Sequence, residues 1–247
     1  MFGGMKWCVL ALALLCSQNA LADPGYRLLE IDGHDVKWGE QKLGSGTVVT
    51  YAIARGPAQY SGGRSCARVT GVDSLLAADG IAAEALDTEL SAALAMWENA
   101  ANIRFQRVGD PATADILIAA QTEPRGLSYA DFASLALDAP VGRIEKGIVC
   151  LNPTTAWRLS GAKARSGKGN VTFELRYALA HEIGHLLGLD HPVQSGELMS
   201  AFYDEQFRAL QPGDIAGAAV LYGPPAFGGE RYRTAGNIVV ETSSRQN

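Results

Sequence analysis

Residues 181–191 read His-Glu-Ile-Gly-His-Leu-Leu-Gly-Leu-Asp-His and hold three of the chain's four histidines. Positions four apart on a helix lie on one face, one turn above the other. His181 and His185 can therefore aim two imidazoles at one point. Gly188 lets the chain leave the helix and turn sharply, because glycine takes positive φ without steric cost. The turn can return His191 as a third ligand. Three neutral nitrogens leave one position open on a tetrahedral Zn2+, the signature of a catalytic rather than a structural site. A water there has its pKa lowered toward neutrality. Glu182, beside the first ligand, can accept that water's proton and deliver it to a leaving amine. This is the chemistry of peptide hydrolysis. A bare His-Glu-x-x-His arises by chance in helices; Gly188 and His191 at this spacing separate a site from a coincidence.

The pair at i and i+4 needs a helix, and Thr172 to Gly188 reads as one. Ile81 to Ala101 is alanine-rich, with Leu86, Leu90, Ala93, Leu94 and Trp97 at helical spacing, and predicts a long amphipathic helix. Pro212 to Tyr222 reads as a last helix, with Pro212 at its start and Gly223-Pro224 ending it. Thr47 to Ile53 is β-branched and aromatic and predicts a strand. Ile103–Val108, Ala114–Ala119 and Gly147–Leu151 are shorter strand candidates. Gly56 to Gly71 reads as a loop, and Gln121 to Gly147 as a long irregular stretch. Arg158 to Asn170, with Lys163, Arg165 and Lys168, reads as an exposed basic loop without a binding role. Strands in the first half and the motif helix in the second imply an α+β domain with a mostly open sheet. The cleft would lie between the sheet half and the part after the motif. No internal repeat is present.

The first 22 residues have the form of a secretory signal peptide: Lys6, the apolar run Val9 to Leu15, and Ala20-Leu21-Ala22 before Asp23. The apolar run is too short to span a bilayer. Lipidation at Cys16 fits less well, since Leu15 stands where a small residue is needed. The expected address is secreted or periplasmic. Residues 23–36 then form a short N-terminal segment and 224–247 a polar tail. The formal net charge of −5 offers no electrostatic footprint for nucleic acid. No second stretch is apolar enough for a transmembrane segment. Cys8 and Cys16 leave with the signal. Cys66 and Cys150 remain, an even pair in an exported protein, for which a disulfide is the expectation and two separate thiols the alternative. Asn170-Val171-Thr172 is formally a glycosylation sequon.

With these residues set out, the chain resembles the matrixins, the matrix-metalloproteinase branch of the metzincin zinc endopeptidases. The likeness runs from Lys37 to Gly223 and is most specific at His181–His191 with Pro192 following. It implies a metzincin-like fold: a twisted, mostly parallel sheet with an antiparallel edge strand, an active-site helix and a C-terminal helix. Leu198-Met199-Ser200 looks like the Met-turn, whose thioether forms the floor beneath the zinc ligands. Tyr203 matches the tyrosine of the wall lining the S1′ pocket, although Ala201 stands where the family usually has proline. Lys37-Trp38, Thr50 to Ile53, Trp97, Ala114-Asp115-Ile116, Asp214 to Gly217 and Leu221-Tyr222-Gly223 are weaker matches. Gly126 to Ala130 resembles the stretch before the edge strand, where relatives bind extended peptide by strand addition.

Departures from the family pattern shape the remaining expectations. No histidine lies between His34 and His181, and Cys150 stands at one of the missing ligand positions. One catalytic zinc is expected, without the family's second, structural zinc. Ca2+ ligands could come from Asp131, Asp138, Glu145 and Asn152, but no spacing identifies a site. The family's cysteine switch is missing too, and Asp32, His34 or Asp35 could serve latency by reaching the zinc. The resemblance implies a monomeric endopeptidase acting on protein or peptide. Two alternatives stay open: a catalytically silent zinc- or partner-binding protein of this fold, or a zinc hydrolase acting on a non-peptide substrate.

Overall fold

The computed structural model describes residues 25–60, 63–163 and 171–226. The signal peptide, Arg165, Lys168 and the sequon's Asn170, and the polar tail beyond Ala226 lie outside them. In chain order come β1 (Arg27–Leu28), β2 (Glu30–Ile31), β3 (His34–Lys37), β4 (Thr47–Ile53), β5 (Ala58–Gln59) and β6 (Arg68–Thr70). Helices α1 (Asp73–Ala78) and α2 (Ala83–Ala100) follow, then β7 (Ile103–Arg107), β8 (Ile116–Gln121), β9 (Ser128–Ala136) and β10 (Val141–Leu151). Next are β11 (Ala156–Arg158), β12 (Thr172–Glu174), α3 (Leu175–Leu186), β13 (Leu189–Asp190), a 3-10 turn at Glu205–Phe207, and α4 (Pro212–Tyr222).

The sheet is mixed and mostly parallel, as expected. β4 pairs in parallel with β7 and β8, and β8 with β10. β8 is buried along its whole length, the pattern of a strand covered on both faces. β9 runs antiparallel to β10, from Ser128↔Leu151 to Ala136↔Arg143. On the other side, α2 buries Leu86, Leu90, Ala93, Leu94 and Trp97. Trp97 Nε1 donates to Ala180 O at 3.0 Å and Trp38 Nε1 to Leu186 O at 2.7 Å, so two buried indoles tie α3 to the rest of the core.

The stretch 121–147 is not irregular: it holds β9 and most of β10, the longest strands among the described residues. Polar residues interrupt the apolar pattern there (Asp131, Arg143, Glu145, Lys146), because an edge pair is only partly covered. Gly142 lies where a Cβ would meet Leu137 Cδ2 at 2.5 Å, so this glycine marks close packing rather than a break. The expected 56–71 loop contains β5 and β6, and β6 pairs with β8. α1, six residues long, is too short to show a period.

Arg158 is buried, not in an exposed loop as expected: its guanidinium meets Glu174 Oε2 at 3.3 Å and also pairs with Glu205. The parallel pairing of β11 with β12 brings these opposite charges together across 16 residues. Thr172–Glu174 is accordingly strand, and the motif helix starts at Leu175.

Residues 27–37 are built into the body. β3 pairs in parallel with β10, β2 with β3, and β1 with β13. Cys66 and Cys150 are joined in a disulfide that ties the β5–β6 region to β10.

Candidate active site

α3 buries Tyr177, Ala178, Leu179, Ala180, Ile183, Gly184 and Leu186, while His181 and His185 are half-buried beside the cleft. The helix ends at Leu186 and Gly188 takes φ +99°. A Cβ there would also lie 2.0 Å from Val36 O, so only glycine fits the turn. The chain then runs back through β13 and delivers His191.

The three imidazoles converge. His191 Nε2 lies 3.2 Å from His181 Nε2 and 3.1 Å from His185 Nε2. Zinc–nitrogen bonds of 2.0–2.1 Å at tetrahedral angles put ligand nitrogens about 3.3 Å apart, so this donor set fits zinc. Tautomers are fixed by carbonyls, which can only accept. His181 Nδ1 donates to Leu198 O at 2.9 Å and His185 Nδ1 to Leu189 O at 2.8 Å, leaving the Nε2 lone pairs bare. Burial pushes all three histidines below the usual range, His185 to about 3, which keeps the rings neutral as ligands require. Among the described residues this is the only group of three or more His, Cys, Asp or Glu close enough to hold an ion.

Glu182 is buried next to the triad, and burial raises its carboxyl to about 7. The Ser128 hydroxyl donates to Glu182 Oε1 at 2.7 Å. Both line a cavity of about 490 Å³ with the three histidines, Tyr177 and Tyr203.

Met199 is buried, and a Cβ on Gly184 would meet its Sδ at 2.3 Å, so the thioether packs directly against α3. Asp214 of α4 holds this turn: its carboxylate accepts from Leu198 N at 2.8 Å and Met199 N at 3.1 Å. The Tyr203 hydroxyl accepts from Glu174 N at 2.8 Å and donates to Glu205 Oε1 at 2.6 Å. Its ring stands edge-on to Tyr177 with centroids 4.5 Å apart. Tyr203 is thus anchored with Ala201 two residues before it.

The other expected residues lie elsewhere. Asp131 Oδ2 accepts from Ser65 N and Cys66 N, Asp138 pairs with Gln41, Glu145 with Arg143, and Asn152 Oδ1 accepts from Thr154. Asp131, Asp138 and Glu145 do not gather into one ligand group. His34 Nδ1 donates to Ala139 O at 2.7 Å, and neither it nor Asp32 or Asp35 lines the cavity. Sequence reasoning passed over Ser128, Tyr177 and the Arg158–Glu205 pair. Ser128 and Arg158 work through partners 54 and 47 residues away and Tyr177 through ring packing, and no local spacing signals them.

A family model described as Matrixin matches residues 75–223, well over half of the chain. Metalloendoproteinase 1-MMP of Arabidopsis thaliana is 28% identical over 148 residues, covering 59% of this chain and 40% of the relative. Karilysin of Tannerella forsythia is 29% identical over 145 residues, covering 56% and 29%. Stromelysin-1 of Rattus norvegicus is 30% identical over 147 residues, covering 58% and 29%. The chain thus matches two fifths or less of the length of each of these relatives.

Proposed function

The chain belongs to the matrixin family, and on that footing we propose that it is a zinc-dependent endopeptidase with Glu182 as general base. One observation carries the reading: three imidazole Nε2 atoms, two of them left bare by Nδ1 bonds to carbonyls, converge beside a buried carboxylate in an open cavity. His181, His185 and His191 would hold the metal. When bound, zinc supplies a Lewis acid that polarises a carbonyl and acidifies water. Glu182 takes the water's proton on its carboxylate and returns it to the leaving amine. The Ser128 hydroxyl fixes the carboxylate through Oε1 while this happens.

The substrate is a peptide in extended form. Ser128, Tyr129, Ala130 and Phe132 of β9 border the cavity, and β9 pairs with β10 alone among the described strands. Its other edge is therefore available for strand addition. The Tyr177–Tyr203 wall favours a medium or large apolar side chain at S1′.

The layout that goes with this reading is a signal peptide at 1–22, export to the periplasm or beyond, and a monomer with one catalytic zinc, no structural second zinc and no nucleic-acid partner. No helix among the described residues is long and apolar enough to cross a membrane. A catalytically silent protein would leave the Ser128–Glu182 arrangement without a purpose, and the extended strand edge favours peptide over other substrates. The test is cleavage of casein or gelatin. It should stop with a chelator and return with added zinc; activity indifferent to chelation would reject the proposal.

A further inference from the structure

The two-residue strand Leu189–Asp190 orients two of the three histidines. Leu189 O accepts from His185 Nδ1 at 2.8 Å, and Asp190 Oδ1 accepts from His191 N at 2.8 Å. A strand this short does not hold its own shape, and its partner among the described strands is β1, in the register Arg27↔Asp190 and Leu28↔Leu189. Further contacts reinforce the pair. Arg27 Nε lies 3.2 Å from Asp190 Oδ2, so one carboxylate bridges Arg27 and the backbone of His191. Leu29 N donates to Gly188 O at 2.8 Å, and Leu29 lines the cavity. Upstream, the Cβ positions of Gly213 and Gly217 on α4 are closed off by Gly25 O at 2.0 Å and Tyr26 Cβ at 3.0 Å, which seats the segment on the helix that supports the Met-turn.

We propose that residues 25–31 are a working part of the metal centre: β1 braces Leu189–Asp190 and thereby positions His185 and His191 for zinc. This rests on the zinc reading above and opposes the latency reading of the same segment. A latent enzyme gains activity when the segment is removed. A braced one loses metal. Groups that orient metal ligands change metal affinity by about 10–100-fold when removed.

The experiment compares the chain from Asp23 with a chain trimmed to start at Asp32 and with Arg27→Glu and Arg27→Lys. Zinc affinity is read by competition with a chromophoric chelator, beside heat unfolding of each metal-free protein. The trimmed chain should bind zinc about 10-fold or more weakly. Arg27→Glu should weaken binding several-fold without moving the metal-free unfolding temperature, and Arg27→Lys should recover most of it. Arg27 is largely exposed, so its variants report on the centre even if trimming prevents folding. Unchanged zinc affinity in Arg27→Glu, or faster peptide cleavage after trimming, overturns this inference alone. Failure of the parent chain to take up zinc overturns the zinc reading and this inference with it.

Discussion

A metal ligand is defined by what its other nitrogen does. Leu198 O and Leu189 O each accept a hydrogen bond from an Nδ1–H and so decide which lone pair His181 and His185 offer. The same dependence on neighbours governs Glu182, whose carboxylate leans on Ser128. A hydrogen bond to a buried charged group is worth about 1.5–3 kcal/mol. Ser128→Ala should therefore lower kcat/KM by about 10-fold or more, with zinc content and KM little changed. Steady-state kinetics beside metal analysis checks this; an unchanged kcat would remove Ser128 from the account. Gly184→Ala tests the floor. The new methyl would collide with Met199 Sδ, and overpacking of this kind costs about 1–3 kcal/mol, read as a lower midpoint in urea. The three histidines and Glu182 were legible in the sequence, because helical periodicity and one glycine turn bring them together within 11 residues. Ser128 was not, since its contact with Glu182 crosses 54 positions and depends on where β9 begins.

At the scale of elements, the long helices, the β-branched strand β4 and the fully buried strand β8 announce themselves in the sequence. β9 and the first half of β10 do not, because half-covered strands mix charges with apolar residues, whereas the buried run Gly147–Leu151 that ends β10 does. β11 and β12 escape for another reason: each is three residues long, too short to show an alternation, and each is held by pairing with the other. The end of β3 carries a further titrating group. Lys37 is fully buried, donates to Trp38 O and Glu40 O, and sits over the Tyr222 ring at 4.9 Å. Burial lowers its ammonium to about 8, with Glu40 pulling it partly back. An amine whose folded pKa is depressed binds fewer protons than in the unfolded chain between about 8 and its ordinary value of 10.5. Stability from this group therefore rises with pH through that window. Urea unfolding from pH 8 to 10 should show the parent gaining stability relative to Lys37→Met. Parallel profiles for the two proteins would contradict the assignment.

For the molecule as a whole, the chain closes on itself around the centre. Its first described strand grips the ligand turn, α4 supports the Met-turn, and the disulfide joins positions 84 residues apart. Closing a loop of that length restricts the unfolded chain and adds about 2–5 kcal/mol. Cys66→Ala/Cys150→Ala should unfold at correspondingly lower denaturant while still binding one zinc, because neither cysteine touches the cavity. Fold class and the Cys66–Cys150 pairing could be expected from the sequence. The integration of residues 25–36 could not, since its partners are residues of β10, the ligand turn and α4, more than 100 positions away.

The most direct test of the central claim sets the purified chain beside Glu182→Ala in a quenched-fluorescent peptide assay, with zinc measured in both. The account predicts cleavage by the parent and a loss of orders of magnitude in the variant, each protein holding one zinc. Undiminished cleavage by a zinc-loaded Glu182→Ala protein would contradict it.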